Sequence, residues 1–303
     1  MKPIRHVINI QSFSRDEIDT ILDRAAQLEP IAHGTTSDIL SGRILATLFY
    51  EPSTRTRLSF DAAMKRLGGD VIDFGPTEGS SVAKGENLAD TISVMGGYAD
   101  AIVLRHPREG AARMASEFSS VPVINAGDGA GQHPTQTLLD LYTIRKESKL
   151  NKVKIALVGD LKYGRTVHSL AHALSMYSAE IYLVAPDELR MPDSIKTNLI
   201  ESGIRITETK DLDDVVGVVD VLYITRIQKE RFPDPGEYQM VACSYKITED
   251  TLKNAKDDLI IMHPLPRVGE IDPGVDKSRH AVYFKQSFYG VPVRMAILSM
   301  VMG

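Results

Sequence analysis

The feature that most limits how this chain can fold is a short apolar run that turns directly into a helix. Ile44 to Tyr50 reads as a buried strand, and Leu58 to Leu67 carries Phe60, Met64 and Leu67 at helical spacing before Gly68-Gly69 stops it. The rhythm then recurs. Strands are expected at Asp70 to Phe74, Ala101 to Arg105 and Val121 to Asn125, with helices at Asn87 to Met95 and Arg108 to Phe118 between them. Pro134 opens a long helix to about Lys146, and five more strands follow at Val153 to Gly159, Ile181 to Ala185, Ile204 to Thr207, Val221 to Thr225 and Leu259 to Met262. Strands separated by helices predict an α/β protein with parallel sheets covered by helices on both faces.

A chain of 303 residues exceeds what one core usually fills. Two domains are expected, residues 1–147 and 148–287, each a parallel sheet with helices on both faces and the active site in the cleft between them. The last helix, about Val293 to Met302, is apolar nearly all round, so it should be buried; residues 288–303 are expected to pack back on the first domain. Near the start, Ser14-Arg15-Asp16-Glu17 is a capping-box pattern, and the helix it opens should run to Pro30.

The one cysteine, Cys243, excludes an internal disulfide and reads as a small buried side chain in a reducing compartment. No run approaches the ~20 apolar residues that span a bilayer, which points to a cytoplasmic protein with no membrane partner. A net charge of -5 argues against a nucleic-acid surface, so any anion must be drawn by locally clustered arginines.

Such clusters fall at the C-terminal ends of the expected strands, the edge where open parallel sheets bind ligands. After the first strand come Ser53, Thr54, Arg55, Thr56 and Arg57, hydroxyls and guanidinium forks at a helix start, suited to three phosphate oxygens. Lys84 lies after the second strand, Arg105-His106 close the third, and His133 and Gln136 flank Pro134 after the fourth. In the second half Arg165 and Arg226 end strands, each able to grip a carboxylate through two parallel hydrogen bonds. Taken singly, Arg165 and Arg226 read more readily as solvated side chains or structural ion pairs, Arg105 equally as an ordinary edge charge, and His133 equally as a helix cap. His263-Pro264-Leu265-Pro266 is a rigid turn in which proline removes N–H donors and leaves carbonyls to accept from a ligand amine.

Two rival readings weaken on inspection. Gly159-Asp160-Leu161-Lys162-Tyr163-Gly164-Arg165-Thr166 has phosphate-loop spacing, but Arg165 stands where the lysine belongs and no acidic strand end is offered for magnesium. No metal site is expected either, because His168 and His172 lack a suitably placed glutamate and read as helix-surface or packing residues.

Taken together, Ser53-Thr54-Arg55-Thr56-Arg57, Lys84-Gly85-Glu86, Leu104-Arg105-His106-Pro107, Gln132-His133-Pro134-Thr135-Gln136, Gly159 to Thr166, Thr225-Arg226-Ile227-Gln228 and His263-Pro264-Leu265-Pro266-Arg267 resemble the aspartate/ornithine carbamoyltransferase superfamily, on its aspartate-specific side. The ornithine branch would be expected to carry a cysteine in the His-x-Leu-Pro turn, where Pro264 stands here. The resemblance implies a transferase acting on carbamoyl phosphate and L-aspartate in pyrimidine synthesis, without a cofactor. It implies Ser53, Thr54, Arg55, Thr56 and Arg105 as phosphate ligands. Thr56, Arg105 and His133 would face the carbonyl oxygen, with Gln136 and the Leu265 and Pro266 carbonyls at the carbamoyl amine. Lys84, Arg165, Arg226 and Gln228 would bind aspartate. Ser80, or its neighbour Ser81, and Lys84 would reach in from the next subunit of a homotrimer, to which regulatory chains could attach. An ornithine-type or other amino-acid transcarbamoylase and an anion-binding protein of this fold without turnover are the two remaining alternatives.

Overall fold

The computed structural model describes residues 4–75, 85–227, 236 and 245–303. Ser80, Ser81, Lys84, Gln228 and Cys243, each given a role or setting by the sequence, lie outside those residues. The chain divides into two compact units, Met1–Leu139 with Phe288–Gly303, and Asp140–Ser287.

The first unit opens with α1 (Arg15–Ala32), whose Ser14 hydroxyl accepts from the Glu17 N–H while the Glu17 carboxylate accepts from the Ser14 N–H. This reciprocal cap satisfies helix-start donors. The helix does not stop at Pro30 as expected but continues to Ala32. A proline in the last turn deprives the helix of one bond near its frayed end, a smaller loss than in the interior. Then follow β1 (Ile44–Phe49), α2 (Thr54–Arg66), β2 (Asp70–Asp73), α3 (Leu88–Met95), β3 (Ala101–His106), α4 (Ala111–Phe118), β4 (Val123–Asp128) and α5 (Pro134–Glu147). The unit break falls inside α5.

The sheet order is β2-β1-β3-β4, with every pair parallel. Leu45 to Leu48 of β1 and Ala101 to Leu104 of β3 are buried, as central strands covered on both faces must be. The edge strand β2 is only partly covered. Apolar side chains of β1, β3, α3 and α4 form one cluster, including Ala46, Leu48, Ile92, Ile102, Leu104, Ala112 and Ala115.

The second unit contains β5 (Lys154–Val158), α6 (Arg165–Ser175), β6 (Glu180–Val184), α7 (Asp193–Glu201), β7 (Arg205–Thr209), α8 (Asp213–Val216), β8 (Val221–Ile224) and β9 (Ile260–Met262). Its sheet order is β7-β6-β5-β8-β9, again all parallel. The final helix, α9, runs from Tyr283 to Met302 and so starts well before the expected Val293. Gly290 and Pro292 hid its beginning, but burial of Tyr289, Val293 and Met295 to Leu298 outweighs their low helix propensity. Its one interior arginine, Arg294, is buried over the Phe60 ring at 5.0 Å. No helix among the described residues is long and apolar enough to cross a membrane.

Candidate active site

Parallel strands all point one way, so within each sheet the C-terminal ends line a single edge. In the first unit the chain leaves β1 to one side for β2 and to the other for β3, which makes the β1/β3 pair the switch point where a crevice forms. The predicted anion ligands sit there. Ser53 to Thr56 follow β1, and Arg105 lies in β3 directly across from Phe49.

The start of α2 is open to an anion. Ser53 is the residue before its first turn, yet its side chain makes no cap hydrogen bond. The hydroxyl is therefore not committed to capping, and the first-turn N–H groups together with the helix dipole favour negative charge. The two arginines of the motif behave differently. Arg57 pairs with Asp73 at 2.8 Å, and the other Asp73 oxygen accepts from the Thr47 hydroxyl. Arg55 has no ion pair among the described residues, and partial burial lowers its pKa without threatening its charge.

Arg105 is more enclosed. Its Nη1 donates to the Ala126 carbonyl at 3.1 Å, its Nη2 lies 3.5 Å from Glu51, and its Nε is buried with no partner among the described residues. Burial lowers its pKa, and the Glu51 charge offsets only part of that. A buried N–H left unpaired costs roughly 1–3 kcal/mol, so an incoming oxygen at Nε would be well received.

The loop carrying His133 is built on a polar hub in Asn125-Ala126-Gly127-Asp128-Gly129, a stretch that shares in the family resemblance but for which the sequence indicates no role. Asn125 Nδ2 donates to Asp128 Oδ1 at 3.0 Å and to the Ile8 carbonyl at 2.9 Å, and its Oδ1 accepts from Gly127 N–H. Asp128 in turn accepts from the N–H groups of Gly110 and Gln132, tying the loop after β3 to the loop after β4. The recurring Gly and Asp of Asn125 to Gly129 were the available signal. His133 is thereby buried next to Thr135 just ahead of α5, with Gln136 in the first turn.

In the second unit the strand order reverses between β5 and β8. Arg165 opens α6 after β5, and Arg226 follows β8, so both predicted carboxylate ligands flank that second switch point. The loops are locked together: Asp160 N–H donates to the Thr225 hydroxyl at 3.0 Å, and that hydroxyl donates to the Val158 carbonyl at 3.1 Å. His168 does act as a packing residue, with Nε2 2.7 Å from the Leu161 carbonyl of the same loop.

The His263 turn is pinned at both ends. Leu265 N–H donates to His263 Nδ1 at 2.8 Å, so the ring proton is on Nε2, which donates to Glu270 at 2.7 Å. The second Glu270 oxygen accepts from Val268 and Gly269 N–H. Burial alone would raise the Glu270 carboxyl, but the His263 and backbone donors outweigh it and bring its pKa down to about 2. The bond before Pro266 is cis and that before Pro264 is not.

Comparison with known proteins adds an independent line. Residues 5–146 match the aspartate/ornithine carbamoyltransferase carbamoyl-P binding domain, and residues 151–301 the Asp/Orn binding domain of the same family. The chain is similar to the aspartate carbamoyltransferase catalytic subunit of Methanothrix thermoacetophila, 67% identical over 98% of both chains, and to that of Methanocella arvoryzae, 66% identical over 99% and 97%. Its fold is similar to the catalytic subunit of M. jannaschii aspartate transcarbamoylase, with a TM-score of 0.93, 58% identity and coverage of 99% and 98%. It is also similar to the Trypanosoma cruzi aspartate transcarbamoylase in complex with carbamoyl phosphate and aspartate, with a TM-score of 0.93, 43% identity and coverage of 99% and 97%. Over nearly its whole length, the chain belongs to the aspartate/ornithine carbamoyltransferase family.

Proposed function

We infer that this chain transfers the carbamoyl group of carbamoyl phosphate to the α-amino group of L-aspartate, giving N-carbamoyl-L-aspartate and phosphate, a step in pyrimidine synthesis. The observation that carries the choice of aspartate is the pair of arginines at one switch point, Arg165 after β5 and Arg226 after β8. A dicarboxylic amine needs two such forks, whereas ornithine presents one carboxylate and an ammonium. The T. cruzi relative in complex with both substrates supports the same reading.

In this reading residues 1–147 bind carbamoyl phosphate and residues 148–287 bind aspartate. Ser53, Thr54, Arg55, Thr56 and Arg105 hold the phosphate. Thr56, Arg105 and His133 donate to the carbamoyl oxygen, and Gln136 with the Leu265 and Pro266 carbonyls takes the amine. Arg165, Arg226 and Gln228 grip the two carboxylates. The neutral aspartate amine attacks the carbamoyl carbon, placing negative charge on its oxygen. Donors fixed in advance around that oxygen favour the transition state over the ground state. The C–O bond to phosphate then breaks, its electron pair leaves with phosphate, and the amine proton passes to a phosphate oxygen. The leaving group is itself the base, so no protein base is required.

The chain works in the cytoplasm as a homotrimer, with Ser80 or Ser81 and Lys84 supplied by the neighbouring subunit. Regulatory chains are further partners, in keeping with relatives named catalytic subunits. The test is an assay with carbamoyl phosphate and aspartate, ornithine or acetylornithine, run beside a mass measurement of the assembly. Turnover confined to aspartate is expected, and turnover with ornithine would overturn the substrate assignment. Mixed Arg55→Ala and Lys84→Ala chains should regain activity in hybrid trimers; no recovery after verified exchange would remove the shared site.

A further inference from the structure

The turn that carries the Leu265 and Pro266 carbonyls has few means of holding itself. Pro264 and Pro266 have no N–H, so of its backbone donors those of His263 and Leu265 must fix it. Leu265 N–H goes to the His263 ring, as described. His263 N–H goes instead to a distant side chain, Gln286 Oε1 on α9, at 2.8 Å.

A backbone N–H can only donate, so the Gln286 oxygen must face His263 and its amino group must face away. That amino group donates to Asp140 Oδ1 on α5 at 2.7 Å. The other Asp140 oxygen accepts from the Tyr223 hydroxyl of β8 at 2.8 Å. Tyr223 is held well above its ordinary phenol range, by burial first and then by the Asp140 charge. Asp140, Gln286, His263 and Tyr223 are all buried to 1% exposure or less.

Each bond in this line runs from a donor to an acceptor, and the direction of each fixes the next. Reversing one member would leave two donors face to face in a buried site, where mismatches are costly. The proposed function gives none of these side chains a contact with substrate, yet the line ends on the first residue of the turn. We propose that Asp140 and Gln286 are positioning residues that aim the Leu265 and Pro266 carbonyl oxygens at the amino group of carbamoyl phosphate. The role rests on the reading of those carbonyls given above.

The test uses acetyl phosphate, which carries a methyl group where carbamoyl phosphate carries its amine. Binding of both to the intact enzyme is measured by calorimetry, with melting temperature as a control. Gln286→Met keeps the length of the side chain but removes both the oxygen that accepts from the His263 N–H and the amino group that donates to Asp140. The preference for carbamoyl over acetyl phosphate should fall on the order of tenfold, the effect of about one hydrogen bond. The paired change Asp140→Asn with Gln286→Glu exchanges donor and acceptor. The carboxylate it introduces on α9 again accepts from the His263 N–H, so the pair should restore the preference.

An unchanged preference in Gln286→Met would overturn the positioning role, as would equal weakening of both ligands. Should the single variant not fold, the paired variant decides: loss of its preference at a wild-type melting temperature overturns the role. A wild-type enzyme that binds both phosphates equally would overturn the carbonyl reading itself, and the positioning role with it.

Discussion

Gly159 and Thr225 approach so closely that a Cβ on the glycine would lie 2.6 Å from the Thr225 carbonyl oxygen. The glycine also holds a φ of 111°, a backbone region that side chains resist. This contact lets the loop after β5 lie against the end of β8, which brings the segments bearing Arg165 and Arg226 to adjacent strand ends. Gly159→Ala is expected to destabilise the fold by roughly 2 kcal/mol or more. It should also weaken aspartate saturation; a melting curve and aspartate KM like those of wild type would contradict the role.

The two arginines of the α2 turn should separate sharply under mutation. Arg55→Ala is expected to lower turnover by a factor of order 10² or more, as loss of other oxyanion or phosphate donors does. Arg57 is engaged with Asp73 in an exposed pair, so Arg57→Ala should change stability by at most about 1 kcal/mol and leave turnover near wild type. Steady-state rates for the two variants check both halves.

Arg226→Ala should raise the aspartate KM while leaving direct binding of carbamoyl phosphate intact. Such a split marks loss of second-substrate binding rather than damage to the whole site. An unchanged aspartate requirement would remove Arg226 from the carboxylate set.

The Glu270 carboxyl titrates near 2 in the folded chain against an ordinary value of 4.5. Its folded pKa is depressed, so its stabilising contribution is complete above about 4.5 and is lost as pH falls through about 2. Glu270→Gln should therefore flatten the acid side of the stability profile over that window, while lowering stability at neutral pH by removing the His263 and backbone acceptor. Melting temperature measured from pH 6 downward checks this, and an acid limb as steep as that of wild type would count against it.

Much of this protein is written locally. The Ser14–Glu17 cap, the alternation of apolar runs with amphipathic helices, and the placing of Arg55, Arg105, Arg165 and Arg226 at strand ends all depend on neighbours a few residues apart, so periodicity and turn chemistry suffice to read them. Local signals also mislead at two helix ends. Pro30 and Pro292 look like helix stops in isolation, but burial of the surrounding apolar residues carries the helix through.

Tertiary structure alone decided the order of the strands. That order turns a row of strand-end residues into two switch points, β1/β3 and β5/β8, and nothing in a strand's own pattern says which partner it will take. It also separated Arg55 from Arg57, since Asp73 claims only the second. The line from Tyr223 through Asp140 and Gln286 to His263 joins residues up to 146 positions apart. Long-range hydrogen bonds between buried polar groups leave no periodic trace in a sequence, because their geometry exists only after the sheets and helices have packed.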